Sequence, residues 1–153
     1  MDVCAYISGY VDGEGSFCVS FSPSNRHLIG WEIRPSFSVS QNRDRSEVLY
    51  LLADHFGCGS IRPDRSDNTL KYEVRRIQDL VEKVLPHFEH YPLLSSKCRD
   101  FELFKAVCLT MQQGDHLTKA GFYKIVDLAF QMNPSGRRKY AREAIKGSAV
   151  FSK

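Results

Sequence analysis

Two segments of the chain alternate between apolar and small polar residues, which is the pattern of half-buried β-strands. They are residues 16–22 and 31–41, and the polar segment 23–30 lies between them. Together they predict a β-hairpin with one apolar side. Residues 60–64 and 69–76 predict a second hairpin.

Helical spacing of apolar residues accounts for much of the remaining chain. Glycine and proline commonly end helices, so we expect helix ends at Gly13, Gly57 and Pro86. The predicted helices are residues 3–11, 48–56, 77–85, 96–113 and 118–132. The order α-β-β-α-β-β-α, followed by two further helices, predicts an α+β fold, with helices on one face of a four-stranded antiparallel sheet. The apolar row on the last helix is expected to be core: Phe122, Ile125, Val126 and Ala129.

Composition suits a single globular domain. The chain has 153 residues, of which 42% are hydrophobic, enough for one core. We predict one domain over residues 1–153, with its core at about 3–113 and a C-terminal helix and basic tail at 114–153. Five scattered cysteines without C-x-x-C spacing indicate a reducing compartment. His87-x-x-His90 brackets a predicted helix end and is not assigned a ligand role.

Charge alone does not identify a partner. The formal net charge is +3, too small an excess to indicate nucleic acid. Residues 134–153 are more basic, with Arg137, Arg138, Lys139, Arg142, Lys146 and Lys153 against Glu143. This tail is either a solvated terminus or a phosphate-contacting segment. We expect a soluble, intracellular protein without signal peptide or membrane span.

The uncovered face of the predicted sheet is a candidate surface for DNA. Arginine pairs with guanine acceptors, carboxylates accept from cytosine amino groups, and a twisted antiparallel ribbon fits the major groove. An ordinary solvated sheet face is the alternative. Besides Arg26 in the loop and Arg137, Arg138 and Lys139 in the tail, the candidates are Ser16, Cys18, Ser20, Ser22, Glu32, Arg34, Ser36, Ser38, Ser60, Arg62, Asp64, Lys71, Glu73 and Arg75.

Small residues are spaced four apart in the first helix. Ala5, Gly9 and Gly13 therefore share one helix face. Glycine inside a helix costs about 1 kcal/mol against alanine, so two of them call for close packing. The partner is either the chain's own sheet or the same helix of a second copy. In the second case the dimer interface contains Ala5, Gly9, Tyr10 and Gly13.

Glu14 follows this helix in the sequence. A helix C-terminus carries partial negative charge from unpaired carbonyls, so a carboxylate there is unfavourable unless a cation neutralises it. A divalent metal ion held by the Glu14 carboxylate and a nearby backbone carbonyl would do so.

The run Ile7-Ser-Gly-Tyr-Val-Asp-Gly-Glu-Gly-Ser-Phe17 resembles the LAGLIDADG motif of homing endonucleases. The likeness extends over residues 4–105, includes the order of elements, and is closest to single-motif, homodimeric members encoded in group I introns. It implies a sheet that docks in the DNA major groove and cleavage of both strands across the minor groove. It also implies a structural role for Asp12.

Active-site residues follow from the same resemblance. By position, Glu14 matches the acid that binds the catalytic metal ion, and the Gly13 carbonyl matches its backbone companion. Many members have Asp where this chain has Glu14. Gln41 and Arg45 match residues at the rim of the active site, and Lys97 matches a basic residue near the scissile phosphate. Phosphate positioning or a plain surface charge is the alternative for Arg45 and Lys97.

The resulting hypothesis is a site-specific double-strand DNA endonuclease. It implies hydrolysis with Mg²⁺, with Mn²⁺ as a substitute and Ca²⁺ supporting binding without efficient cleavage. It also implies a homodimer on a long pseudo-palindromic target, in a prokaryotic cytoplasm or an organelle. The alternatives are an intron RNA maturase, a DNA-binding regulator of the same fold without cleavage, and a generic α+β interaction domain.

Overall fold

The computed structural model describes residues 1–66, 68–133 and 136–151. Lys153, part of the predicted basic tail, lies outside them. The helices are α1 Val3–Glu14, α2 Glu47–Phe56, α3 Ile77–Asp79, α4 Leu85–His90, α5 Lys97–Gln112, α6 Lys119–Gln131 and α7 Arg142–Ser148, with a π-helical turn at Leu80–Val84 and 3-10 turns at Arg43–Arg45 and Asp115–Leu117. The strands are β1 Gly15–Pro23, β2 Trp31–Asn42, β3 Ser60–Pro63 and β4 Thr69–Val74.

The four strands form one sheet in the order β1-β2-β4-β3. Strand β4 pairs antiparallel with β2, where Phe37 faces Val74, and with β3, where Ser60 faces Glu73. The predicted α+β class and four-stranded sheet are confirmed. Among the described residues, no helix is both long and apolar enough to cross a bilayer.

The chain divides into two compact units. The first comprises Met1–Phe17 and Ser36–Cys98. Its core is aromatic: the Phe37 ring lies 5.3 Å from Phe17, 5.6 Å from Phe56 on α2 and 5.5 Å from Phe88 on α4, centroid to centroid. These rings pack helices against the apolar face of the strands, as the alternation predicts.

The second unit comprises Cys18–Pro35 and Arg99–Lys153. The predicted apolar row of α6 is its core, because all four side chains of that row are fully buried. The Trp31 indole stacks edge-on against Tyr140 and donates to Ser148 Oγ at 3.0 Å. The single-domain organisation of the whole chain stays a prediction.

Two helix ends and one additional helix differ from the sequence predictions. Helix α1 continues through Gly13 to Glu14, because glycine weakens a helix without excluding it. The helical path continues past Pro86 to His90. The Leu85 N–H donates to the Leu80 carbonyl and so closes the π-turn. Pro86 then lies in the first turn of α4, where a residue without an N–H is tolerated. Helix α7 was not predicted, since a seven-residue segment with one buried residue, Ile145, gives little periodic signal.

Candidate active site and nucleic-acid interface

Glu14 is the last residue of α1 and is exposed. Gly15 leaves the helix in extended conformation, and a Cβ there would lie 2.6 Å from Val11 Cγ1, so only glycine allows this close turn into β1. The Glu14 carboxylate forms no hydrogen bond or ion pair with the residues that the structure describes. It is therefore an available anionic oxygen ligand at the negative end of a helix.

Lys97 neutralises part of that helix end. Its ammonium group donates to the Val11 carbonyl at 3.0 Å and to the Gly15 carbonyl at 2.5 Å. Positive side chains commonly bond the last carbonyls of helices in this way. The structure thus brings Lys97 to the backbone on either side of Glu14, although Lys97 lies 83 positions later in the sequence.

Asp12 holds the segment that leads into Lys97. Its carboxylate accepts from the backbone N–H groups of Leu94 and Ser95, both at 3.0 Å, and from the Ser95 hydroxyl. Burial raises the pKa of Asp12, but these hydrogen bonds, with a contribution from Lys97, outweigh it and hold the pKa below its usual value. This is the structural role expected for Asp12.

Tyr10 connects Glu14 with Gln41. Partial burial and the Glu14 carboxylate raise the pKa of the Tyr10 phenol, and the Gln41 side chain lies close enough to lower it in part. Sequence reasoning assigned Tyr10 only to a dimer interface. The signal that it missed is the four-residue spacing of Tyr10 and Glu14, which puts both side chains on one face of α1.

Arg45 is not connected to this group by direct contacts. It is exposed at the end of the 3-10 turn after β2 and forms no ion pair with the described part of the chain. The structure therefore groups Glu14, Lys97 and Gln41 through direct contacts with α1 and its end, while Arg45 stays a predicted member of the site.

The oxygen atoms at the end of α1 suit a hard divalent cation. Mg²⁺ and Ca²⁺ prefer carboxylate and carbonyl oxygens. Glu14 supplies an unpaired carboxylate, and Gly13 is one of the last four helix residues, whose carbonyls lack intrahelical partners. The predicted pair of ligands fits this class of metal ion.

The glycine face of α1 is open. Ala5, Gly9 and Gly13 are exposed, and a Cβ on either glycine would meet no described atom within 4 Å. Packing against the chain's own sheet therefore does not explain the glycines. A groove of about 310 Å³ runs beside this face, and Leu94 at its edge is 93% exposed.

Strands β1 and β4 show the predicted alternation of buried and accessible residues. In β1, buried residues alternate with accessible ones, and Ser16 and Ser20 are exposed. In β4, Lys71 and Glu73 alternate with buried neighbours. Ser38 is a correction: it is only 8% exposed, because its short side chain lies on an interior strand opposite Glu73.

Several charged groups on this face form pairs within the chain. Glu73 binds Arg62 at 3.0 Å and Lys71 at 3.5 Å. Likewise, Arg34 lies 3.5 Å from Glu32, and the Ser40 hydroxyl donates to Asp64 at 3.0 Å. The remaining predicted contacts on the sheet and its loop are exposed or partly exposed: Cys18, Ser22, Arg26, Ser36, Ser60 and Arg75.

The basic tail residues differ in environment. Arg137 and Lys139 are exposed. The Arg138 guanidinium instead donates to the carbonyls of Val19 and Ala129 and lies over the Phe130 ring, 4.7 Å from its centroid. Arg138 thus anchors the tail within the second unit, a role that the run of basic residues did not indicate.

A profile of the LAGLIDADG endonuclease family matches residues 7–108. The chain belongs to this family. The matched range contains Glu14, Gln41, Arg45 and Lys97, the four predicted catalytic residues. Residues 137–139 lie beyond it, so the family match carries no argument about the tail.

Proteins similar to this chain include intron-encoded endonucleases of fungi and archaea. A probable intron-encoded endonuclease of Neurospora crassa is 36% identical over 127 residues, 82% of this chain and 24% of that protein. Homing endonuclease I-ApeII of Aeropyrum pernix is 32% identical over 115 residues, 72% of this chain and 67% of that protein. The chain spans about a quarter of the length of the first fungal relatives that it matches.

Solved structures of homing endonucleases share the fold. The archaeal intron-encoded I-Vdi141I, complexed with DNA, has a TM-score of 0.88 and 29% identity over 95% of this chain and 93% of that one. I-TnaI has a TM-score of 0.82 and 34% identity over 95% and 94% of the two chains. I-SmaMI, bound to an uncleaved DNA target in the presence of calcium ions, has a TM-score of 0.87 and 30% identity over 100% of this chain and 51% of that one.

Proposed function

We propose that this chain is a site-specific endonuclease that hydrolyses both strands of duplex DNA. The observation that carries the proposal is the exposed, unpaired carboxylate of Glu14 at the end of a glycine-faced helix, with Lys97 and the Tyr10–Gln41 pair beside it. The similar I-Vdi141I and I-SmaMI, each solved with DNA, support duplex DNA as the substrate.

Glu14 and the Gly13 carbonyl would hold a divalent cation, with Mg²⁺ as the proposed cofactor. Mn²⁺ is its expected substitute, and Ca²⁺ is expected to support binding without efficient cleavage. When bound, the metal ion polarises the phosphate and lowers the pKa of the attacking water. The chain's own groups do the positioning: Lys97 holds the backbone on both sides of Glu14, and Gln41 fixes Tyr10 next to it. The proposed role of the exposed Arg45 is to offset negative charge that develops on the phosphate.

The open sheet face is the proposed DNA-reading surface. Several of its charged side chains lie in pairs, such as Arg62 with Glu73, which place donors and acceptors before DNA arrives. Arg137 and Lys139 are exposed and suited to phosphate contact.

We also propose that two copies pair through the open face formed by Ala5, Gly9 and Gly13. One motif per chain supplies one acid, whereas cleavage of two strands requires two, so a second copy completes the site. The absence of any described atom near Gly9 and Gly13 leaves room for a second helix at close approach. The proposed location is a prokaryotic cytoplasm or the interior of an organelle, a proposal that rests on the similarity to intron-encoded endonucleases.

The test is Glu14→Gln, with Glu102→Gln on the exposed face of α5 as the matched control. Each protein is incubated with a randomised duplex DNA library, first with Ca²⁺ to recover bound duplexes and then with Mg²⁺, and cut ends are sequenced. Glu14→Gln should retain the bound sequences and lose cleavage by about 1000-fold or more, since a metal ion supplies several kcal/mol to the transition state. Equal cutting by Glu14→Gln and Glu102→Gln refutes the assignment.

The maturase and regulator alternatives predict different results. A maturase binds structured intron RNA more tightly than any duplex from the library. A regulator without cleavage leaves every bound duplex intact with Mg²⁺. The unpaired carboxylate of Glu14 favours cleavage, since a regulator has no need for an uncompensated acid at a helix C-terminus.

A further inference from the structure

A cysteine and two histidines from three helices meet at the other end of α1. Cys4 lies in the first turn of α1, His55 in the last turn of α2 and His87 in α4. One ligand atom from each lies within 4.8 Å of the other two. Ten residues of helix, about 15 Å at 1.5 Å per residue, separate Cys4 from Glu14, so the cluster is distinct from the proposed active site.

Hydrogen bonds orient the buried His87 ring. The Ser8 hydroxyl donates its proton to the Tyr91 carbonyl at 2.6 Å, so it accepts from His87 Nε2 at 3.1 Å. With its proton on Nε2, the neutral ring has a lone pair on Nδ1, which faces His55 Nε2 at 2.9 Å. Metal-binding histidines are held in the same way, with the second ring nitrogen donating to a fixed oxygen.

An acidic side chain also lies near the cluster. The Asp2 carboxylate, which caps α1, is close enough to His87 to interact with its ring electrostatically. A cation bound at the cluster would gain this nearby negative charge.

We propose that Cys4, His55 and His87 bind a Zn²⁺ ion. Imidazole nitrogen and thiolate sulfur are ligands that Zn²⁺ prefers, and three protein ligands leave one tetrahedral position for water. Hard Mg²⁺ prefers oxygen ligands, so the two metal sites differ in chemistry as well as position.

Small movements close the site. Zn–N distances of about 2.0–2.1 Å and a Zn–S distance of about 2.3 Å put tetrahedral ligand atoms roughly 3.3–3.6 Å apart. The two histidine nitrogens, at 2.9 Å, separate slightly as the ion replaces the proton on His55 Nε2. Exchange with water moves that proton to His55 Nδ1, and the Cys4 thiol releases its proton to solvent as the thiolate binds. All three ligand atoms lie within 4.8 Å of one another, so the most distant pair must approach by about 1 Å. Rotation of the half-exposed Cys4 side chain or of the exposed His55 side chain is enough for this movement. The bound ion would join α1, α2 and α4, and so fix the N-terminal end of the helix that carries Glu14.

The experiment uses the full chain after metal removal with a chelator. Zn²⁺ titrated into it should bind at one ion per chain and, at 100-fold excess over Kd, raise Tm by about 5–10 °C. Co²⁺ in its place should give a thiolate-to-metal absorption band. Cys4→Ser and His55→Gln should each weaken Zn²⁺ binding by about 100-fold or more, since loss of even an outer partner costs 10–100-fold.

Three matched variants serve as controls. Cys98→Ser alters another half-exposed cysteine, His90→Gln another exposed histidine, and Glu14→Gln the proposed Mg²⁺ site. All three should bind Zn²⁺ as the parent chain does. Thermal unfolding in chelator confirms that each variant is folded. The proposal is overturned by an absence of Zn²⁺ binding, by undiminished binding in Cys4→Ser or His55→Gln, or by a Co²⁺ spectrum without the thiolate band.

Discussion

Replacement of Lys97 by methionine tests how the end of α1 is held. Methionine keeps most of the apolar stem and removes the ammonium group that binds the Val11 and Gly15 carbonyls. A hydrogen bond to a charged group contributes about 1.5–3 kcal/mol net, and a cation at a partly buried helix C-terminus up to about 2 kcal/mol. These figures describe the same contact, and water partly replaces the lost donor. We therefore expect a loss of about 2 kcal/mol in the free energy of unfolding.

Urea denaturation followed by circular dichroism measures this loss. At 2–4 °C per kcal/mol for a chain of this size, Tm should fall by about 4–8 °C, and the urea midpoint should fall without a change in slope. Lys124→Met, on the exposed face of α6, is the control and should change neither. If Lys97→Met unfolds like Lys124→Met, the ammonium group does not hold these carbonyls.

Cleavage by Lys97→Met separates positioning from a direct role. If Lys97 acts by holding the backbone around Glu14, Lys97→Arg should restore both stability and cutting of a target selected from the randomised library, because its guanidinium N–H groups can donate to the same two carbonyls. A variant that regains stability without regaining cleavage assigns Lys97 to the phosphate instead.

Two further predictions concern α1. Gly9→Leu should leave the fold intact, because nothing described lies within 4 Å of its Cβ, but should shift the proposed dimer to monomers in sedimentation velocity. The equally open Gly147→Leu in α7 should not, and a dimer that survives Gly9→Leu excludes this face. The pKa of Asp12 is depressed in the folded state, so its stabilising effect is fully present above the unfolded pKa near 4 and is lost as pH falls through the lower folded pKa. Asp12→Asn should therefore lower Tm at pH 7 and have a smaller effect at pH 3, whereas an equal loss at both values refutes the charge-based argument.

The sequence predicts the sheet better than the site. Alternation with period two shows which residues of β1 are buried, because the geometry of a strand alone determines it. The same rule fails at Ser38. Alternation predicts an accessible side chain there, but Ser38 lies on an interior strand and its short side chain is buried. The Pro86 prediction fails because a π-turn accommodates the proline, and no local sequence pattern indicates such a turn.

Contacts between distant residues had no local signal. Lys97 was connected with Glu14 only through the family resemblance, and nothing in its spacing indicates that it binds the Gly15 carbonyl. The His55–His87 pair is a similar case. Spacing alone pairs His87 with His90, whereas the imidazole that is hydrogen-bonded to His87 belongs to a residue 32 positions earlier.

Helix α1 combines two adjacent rows with opposite properties. Ser8 and Asp12, four residues apart, bind the segment between His87 and Ser95 through polar contacts. The next row, Ala5, Gly9 and Gly13, is exposed and has almost no side chains. Because the first row fixes the rotation of the helix about its axis, the second row faces outward in a defined direction. The direction of Glu14 is fixed with it, so the polar contacts of one row determine where a partner helix and a metal ion would meet the carboxylate.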